Sequence, residues 1–179
     1  MQTHYPDQTK VEPVNRHTLA VIVDNEPGVL ARIAGLFSGR GYNIESLTVS
    51  ETQHARHISR ITIVTAGTAP VIEQIKAQLE RLVPVHRVDD LTVRGEALER
   101  ELCLVKVVGS GDHRVEALRL AAAFGARTLD ATLTSFVFEL TGETTDVERF
   151  VNLMTGVGLV EVARTGVAAM SRGAQSMEQ

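Results

Sequence analysis

The groups best placed to do chemistry in this chain are backbone N–H groups. The segment Asp24, Asn25, Glu26, Pro27 and Gly28 separates an apolar run from a segment of helical periodicity. Gly28, Val29 and Leu30 therefore present N–H groups without intrahelical acceptors at a helix start. Those donors, with about half a positive charge from the helix dipole, favour a carboxylate or phosphate, and Gly28 carries no side chain to obstruct it. A Pro-Gly pair is also ordinary punctuation at helix starts, so the turn alone does not establish a site.

The remaining candidates are weaker. Gly109 and Gly111, in the run GSGDH, suggest a phosphate loop, but the full GxGxxG spacing and a Walker lysine are missing. His54 and His57 are close enough to share a metal ion, yet no Cys or third His stands near them, and they read as solvated loop side chains. Asp89 with Asp90, and Glu99 with Glu101, read as solvated charge at a strand end and in a linker. Cys103, the lone cysteine, sits in the apolar run Leu102 to Val105 and reads as a core residue in a reducing cytosol. No nucleophile stands beside a base, so neither catalytic residues nor metal ligands are expected.

The elements that must position the turn follow from periodicity. His17 to Asp24 (HTLAVIVD) is β-branched and apolar, a strand covered on at least one face. Asp24 or Asn25 is the expected N-cap of the helix that follows, with Pro27 near its first turn. Val29, Leu30, Ile33, Leu36 and Phe37 form one apolar stripe, ended by Gly39 and Gly41. Tyr42 to Ser50 and His57 to Thr65 read as strands joined by a polar hairpin loop. A second helix opens at Gly67 to Pro70 with Ile72, Ile75, Leu79 and Leu82 on one face, and Val83 to Val93 returns as a strand. The order βαββαβ predicts a four-stranded antiparallel sheet with both helices on one face, closing near Arg94.

The order then repeats. A strand runs from Glu101 through Val108, and a helix from Asp112 to Phe124. Strands follow near Arg127 to Ala131 and Ser135 to Thr141, and a helix with the stripe Val147, Phe150, Val151 and Met154 leads through Gly156 to Val162 into a last strand. The expected fold class is α+β with two such units: a disordered arm 1–16, a first domain 17–94, a linker 95–100, a second domain 101–173 and a loose tail 174–179.

Composition narrows the function classes. The 179 residues are 44% hydrophobic and 22% charged, enough for a real core without disulfides or structural metal. No run approaches the roughly 18 apolar residues of a membrane span, and the polar opening stretch lacks the apolar segment of a secretory signal, so a cytoplasmic protein is expected. A net charge of −4 with scattered Lys and Arg argues against a phosphate-backbone partner. The βαββαβ order also describes RNA-recognition modules, but these stack bases on aromatic residues of the central strands, and HISRITIVT carries none.

The segment DNEPGVLARIAGLFSGRGYNIESLTV, Asp24 to Val49, resembles the ACT domain of acetolactate synthase small subunits, and GLFSGRGYNIESL is more specific to those subunits than to ACT domains at large. LERELCLVKV, Leu98 to Val107, and VEVARTGVAAMSRG, Val160 to Gly173, resemble the C-terminal domain of the same subunits, so the likeness runs from about His17 to Gly173. It implies an N-terminal ferredoxin-like ACT domain, a second βαββαβ-like domain contacting a catalytic large subunit, and a homodimer formed through ACT domains. Valine, or sometimes leucine or isoleucine, is then expected at the shared ACT interface as a feedback effector.

On that resemblance the carboxylate is held by N–H groups of Gly28, Val29 and Leu30. Asn25 and Asn43 are polar partners for the carboxylate and the ammonium, Val29 and Ile44 line an apolar pocket, and Asn43 reaches a ligand bound opposite it on the partner subunit. Ala31 and Ser50 stand near that pocket, where side-chain size could tune the fit. Thiamine diphosphate, magnesium and FAD are expected on the catalytic subunit and no cofactor on this chain. The alternative is a free-standing ACT-type amino-acid sensor acting on another partner.

Overall fold

The apolar periodicities become two antiparallel sheets, each covered by two helices, in a computed structural model that describes residues 12–93, 97–174 and 176–177. The first unit comprises β1 (Asn15–Asp24), α1 (Val29–Gly39), β2 (Ser46–Gln53), β3 (Ile58–Gly67), α2 (Ala69–Leu79) and β4 (Val85–Asp90). Its strand order is β2-β3-β1-β4 with every neighbour antiparallel, so β2 and β4 are the edges. Alternation along β1 sends Leu19, Val21 and Val23 toward the helices. There they meet Val29, Ile33 and Phe37 of α1 and Ile72, Ile75 and Leu79 of α2 in one buried cluster. Truncating Phe37, 1% exposed, to alanine would cost about 3–5 kcal/mol.

The second unit comprises β5 (Ala97–Val108), α3 (Asp112–Phe124), β6 (Arg127–Ala131), β7 (Ser135–Gly142), α4 (Thr144–Thr155), β8 (Leu159–Arg164) and β9 (Ala168–Ser171). The order is β6-β7-β5-β8, with β9 pairing the first residues of β5. Cys103, Val105 and Val107 pack with Phe136, Phe138 and Leu140 of β7 and with Val147, Phe150 and Met154 of α4. The α3 face is built from the small residues Ala117 and Ala121, which let that helix lie close.

The α+β class and the doubled βαββαβ order stand as expected, and several boundaries move. The second strand begins at Ser46 instead of Tyr42. Tyr42 folds back edge-on against Phe37, with ring centroids 6.0 Å apart, and the Asn43 carbonyl accepts a bond from Thr65 Oγ1, so 42–45 is a strap and not a strand. The helix cap is Gly28, not Asp24 or Asn25. Residues 97–100 of the expected linker are already strand, because they pair with β9, an element the periodicity missed; residues 94–96 lie outside the described residues. Asn15 and Arg16 of the expected arm extend β1, whereas 1–11 lie outside the described residues. In the expected loose tail, Met177 is 7% exposed, and 175, 178 and 179 lie outside the described residues.

The tail and β9 move for a shared reason. The face of the first sheet turned away from its helices exposes apolar Ala20, Ile22 and Val64, which must be buried. Ala97, Val167, Ala169 and Met177 of the second unit cover it, with Leu91 beside them. The two units are thus joined by a third small core rather than by a bare connector.

Candidate functional site

The expected anion turn is present and shaped as the sequence requires. Gly28 has φ of 89°, which L side chains rarely adopt, and α1 starts immediately after it. The first i to i−4 bond of the helix runs from Arg32 N–H to the Gly28 carbonyl at 3.0 Å, so the N–H groups of Leu30 and Ala31 precede the ladder. Val29 N–H makes only a long 3.4 Å contact with the Glu26 carbonyl. Gly28 is exposed and a Cβ there would meet nothing within 4 Å, so the N–H groups are open to an incoming group. Asn25 is exposed beside the turn, its own N–H donated to the His57 carbonyl at 2.6 Å.

Val29 does not line an apolar pocket as expected. Its side chain is 4% exposed in the core, because the helix stripe turns it inward, so only its N–H faces the turn. Leu30, 43% exposed, is the apolar side chain on the open side of the helix start.

Asn43 and Ile44 stand elsewhere. Thr65 Oγ1, fully buried, donates to the Asn43 carbonyl at 2.7 Å, and Glu45 N–H donates to the Val64 carbonyl at 2.8 Å. This anchors the strap at the end of β3 that pairs with the start of β1, since Thr65 is opposite His17. The Gly28 turn is at the other end, where Ile58 is opposite Asp24. Seven residues of strand separate the two ends, on the order of 20 Å. Within one chain the two halves of the expected site do not meet. The exposed edge strand β2 runs between them, from Ser46 opposite Val64 to Gln53 opposite Ile58, with Ser50 opposite Arg60 nearer the Gly28 end.

Asp90, Glu99 and Glu101, assigned to solvated charge, are instead structural. Glu101 is 4% exposed and accepts both Nε (2.8 Å) and Nη2 (2.6 Å) of Arg164. The Glu101 carboxylate holds the Arg164 guanidinium above its ordinary pKa, against the opposing effect of desolvation. Glu99 accepts from Thr18 Oγ1 and pairs with Arg16 at 2.9 Å. Asp90 is 7% exposed, 2.7 Å from His17 Nδ1. Glu99, Glu101, Arg16 and Arg164, with Glu45 and Glu148, line a cleft of about 730 Å³ between the two units. A signal for this was present: Glu99 and Glu101 alternate in phase with buried Cys103, Val105 and Val107.

Elsewhere, His54 and His57 are exposed loop side chains that pair with Glu51 at 2.6 and 3.8 Å. Among the described residues no group of three or more His, Cys, Asp or Glu is arranged to hold a metal ion. No helix of the described residues is long and apolar enough to cross a membrane. Cys103 is fully buried, and that burial pushes its thiol pKa up.

Comparison with known proteins assigns both units. Residues 19–87 match the family described as AHAS small subunit-like ACT domain, and residues 100–173 the family described as small subunit of acetolactate synthase. The chain is 46% identical over 158 residues to a probable acetolactate synthase small subunit of Archaeoglobus fulgidus, covering 88% of this chain and 98% of the relative. It is 44% identical over 163 residues to the acetolactate synthase isozyme 3 small subunit of Salmonella typhimurium, covering 90% and 99%. The crystal structure of the small subunit from Thermotoga maritima superposes with a TM-score of 0.81 at 35% identity, covering 90% of this chain and 99% of that one.

Proposed function

The chain belongs to the acetolactate synthase small-subunit family, a family of regulatory subunits, and from that premise we propose that it activates a separate catalytic large subunit and makes it sensitive to a branched-chain amino acid, valine first. The ACT unit, 17–94, binds the effector, and the second unit, 101–173, contacts the catalytic chain. Thiamine diphosphate, magnesium and FAD, and the condensation of pyruvate that they serve, belong to that catalytic chain, in the cytoplasm.

The observation that carries this reading is the separation of Gly28 from Asn43 at the two ends of edge strand β2. A second copy pairing antiparallel along β2 about a two-fold axis lays the start of one β2 against the end of the other. That operation brings Asn43 of one protomer toward the Gly28 turn of its partner, and it does so twice per dimer. In each site the effector carboxylate rests on the N–H groups of Gly28, Val29 and Leu30, and Asn25 and Asn43 hold the polar atoms. Ile44 and the exposed Leu30 contact the aliphatic side chain, with Ala31 and Ser50 close enough to tune its size.

Melting of the purified chain with millimolar valine, leucine, isoleucine or lysine tests binding. Ligand at about a hundred times its Kd adds roughly 2.7 kcal/mol, a rise of roughly 5–10 °C for a chain of this size. The expected result is a rise with a branched-chain amino acid and none with lysine, together with valine-inhibited acetolactate formation once the catalytic chain is added. No rise, combined with a pull-down that recovers no thiamine-dependent chain, would reject the proposal.

A further inference from the structure

We propose that the strap 42–45 and the start of β2 that continues it, Ser46 to Thr48, transmit effector occupancy to the second unit, through a close-packed joint with Gly166 and Val167. The inference rests on the reading that Asn43 touches the effector. One end of the strap carries Asn43, pinned to the first sheet by Thr65 Oγ1. The next residues are claimed by the other unit. Ser46 Oγ accepts the Val167 N–H at 2.9 Å, and Thr48 Oγ1 donates to the Val167 carbonyl at 2.9 Å. Glu45 pairs with Arg16 at 3.6 Å, and Arg16 pairs with Glu99 of β5 at 2.9 Å.

The joint has no slack. Gly166 has φ of 81°, and a Cβ there would stand 2.7 Å from Ser46 Oγ and 3.0 Å from Thr48 Oγ1. Val167 is 2% exposed with both of its backbone polar groups held by Ser46 and Thr48 at the start of β2. Close-packed contacts of this kind pass a displacement on rather than absorb it. The segment they push has two outlets into the second sheet. Thr165 N–H donates to the Leu102 carbonyl at 3.0 Å, and β9, which begins at Ala168, pairs with Ala97 to Arg100. A shift of the strap by a fraction of an ångström at Asn43 therefore reaches β5, the central strand of the unit assigned to the catalytic chain.

The test uses the full chain reconstituted with its catalytic subunit and the variant Ser46→Ala/Thr48→Val, which removes both side-chain bonds to Val167 and leaves the Gly28 turn and Asn43 untouched. Valine affinity is measured by calorimetry on the regulatory chain, and inhibition by acetolactate formation. Valine Kd is expected to stay within about twofold of native while half-inhibition requires at least about fivefold more valine, the lower range of coupling energies. Ser46→Ala alone, a milder change, carries the same expectation in smaller measure and decides the matter if the double variant does not fold. Inhibition at the native valine concentration overturns the inference, and so does a parallel loss of binding and inhibition. A native chain that neither binds nor responds to valine would instead sink the functional reading itself.

Discussion

Gly28 and Asn43, fifteen positions apart in sequence, stand at opposite ends of the first sheet, with the whole of α1 between them. Eleven helical residues alone span about 16 Å. A ligand the size of valine cannot touch both in one chain.

Mixing experiments follow from that separation. Asn25→Ala and Asn43→Ala homodimers are each expected to lose valine binding at both sites. A heterodimer of the two variants contains one site with both substitutions and one native site. Calorimetry on the mixed sample should recover binding at roughly a quarter of all sites, since random exchange makes about half the dimers mixed. No recovery would mean that Asn25 and Asn43 do not share an effector site across the dimer.

Gly28 variants separate backbone strain from site chemistry. Any side chain at φ of 89° costs about 1–2 kcal/mol, although the space around the position is open. Gly28→Ala and Gly28→Asp should therefore melt lower by a similar amount, roughly 2–8 °C for a chain of this length. Only Gly28→Asp places a carboxylate beside the N–H groups, so it should abolish valine inhibition where Gly28→Ala merely weakens it. Equal inhibition curves for the two variants would place the carboxylate elsewhere.

Arg164→Ala strands the Glu101 charge, which is 4% exposed, and should cost about 3 kcal/mol in urea unfolding. The low end of the range applies because the Arg164 side chain keeps 35% of its exposure. Removing Glu101 as well takes the stranded charge away, so the double variant should be more stable than Arg164→Ala alone. Additive losses would show that the pair contributes only as two separate side chains.

Burial pushes the Cys103 thiol above its ordinary value of 9.0. A group whose folded pKa is raised leaves stability whole below the unfolded value and removes it as pH rises through the folded value. Unfolding free energy should therefore fall from about pH 9 upward more steeply in the native chain than in Cys103→Ala. Parallel profiles for the two proteins would show that the alkaline loss comes from other groups.

Much of the scaffold was legible because hydrophobic burial leaves a local imprint. The stripe Ile33, Leu36 and Phe37 declares a period of 3.6 within one helix, and the unbroken apolar run Leu19 to Val23 declares a strand covered on at least one face. Both pack into buried cores, the strand on both faces, with Leu30 of the expected stripe left exposed. α3 spans Asp112–Phe124 as expected, although the side chains it buries are the small Ala117 and Ala121. Local pattern failed where one residue answers to a distant partner. Tyr42 and Asn43 read as strand, but Phe37 and Thr65 turn them into a strap, and β9 is a strand only because the first residues of β5 lie beside it.

The sequence by itself determined the two βαββαβ units, the family, and the turn in which Gly28 bares its N–H groups, because each depends on periods, caps and residue types a few positions apart. Only the tertiary structure decided that Val29 faces the core, that Glu101 and Asp90 are buried and paired with Arg164 and His17, and that Val167 is clasped by Ser46 and Thr48. It also decided that Gly28 and Asn43 lie apart. The physical reason is shared: such pairings join positions up to 121 residues apart, and only the folded chain brings them within bonding distance.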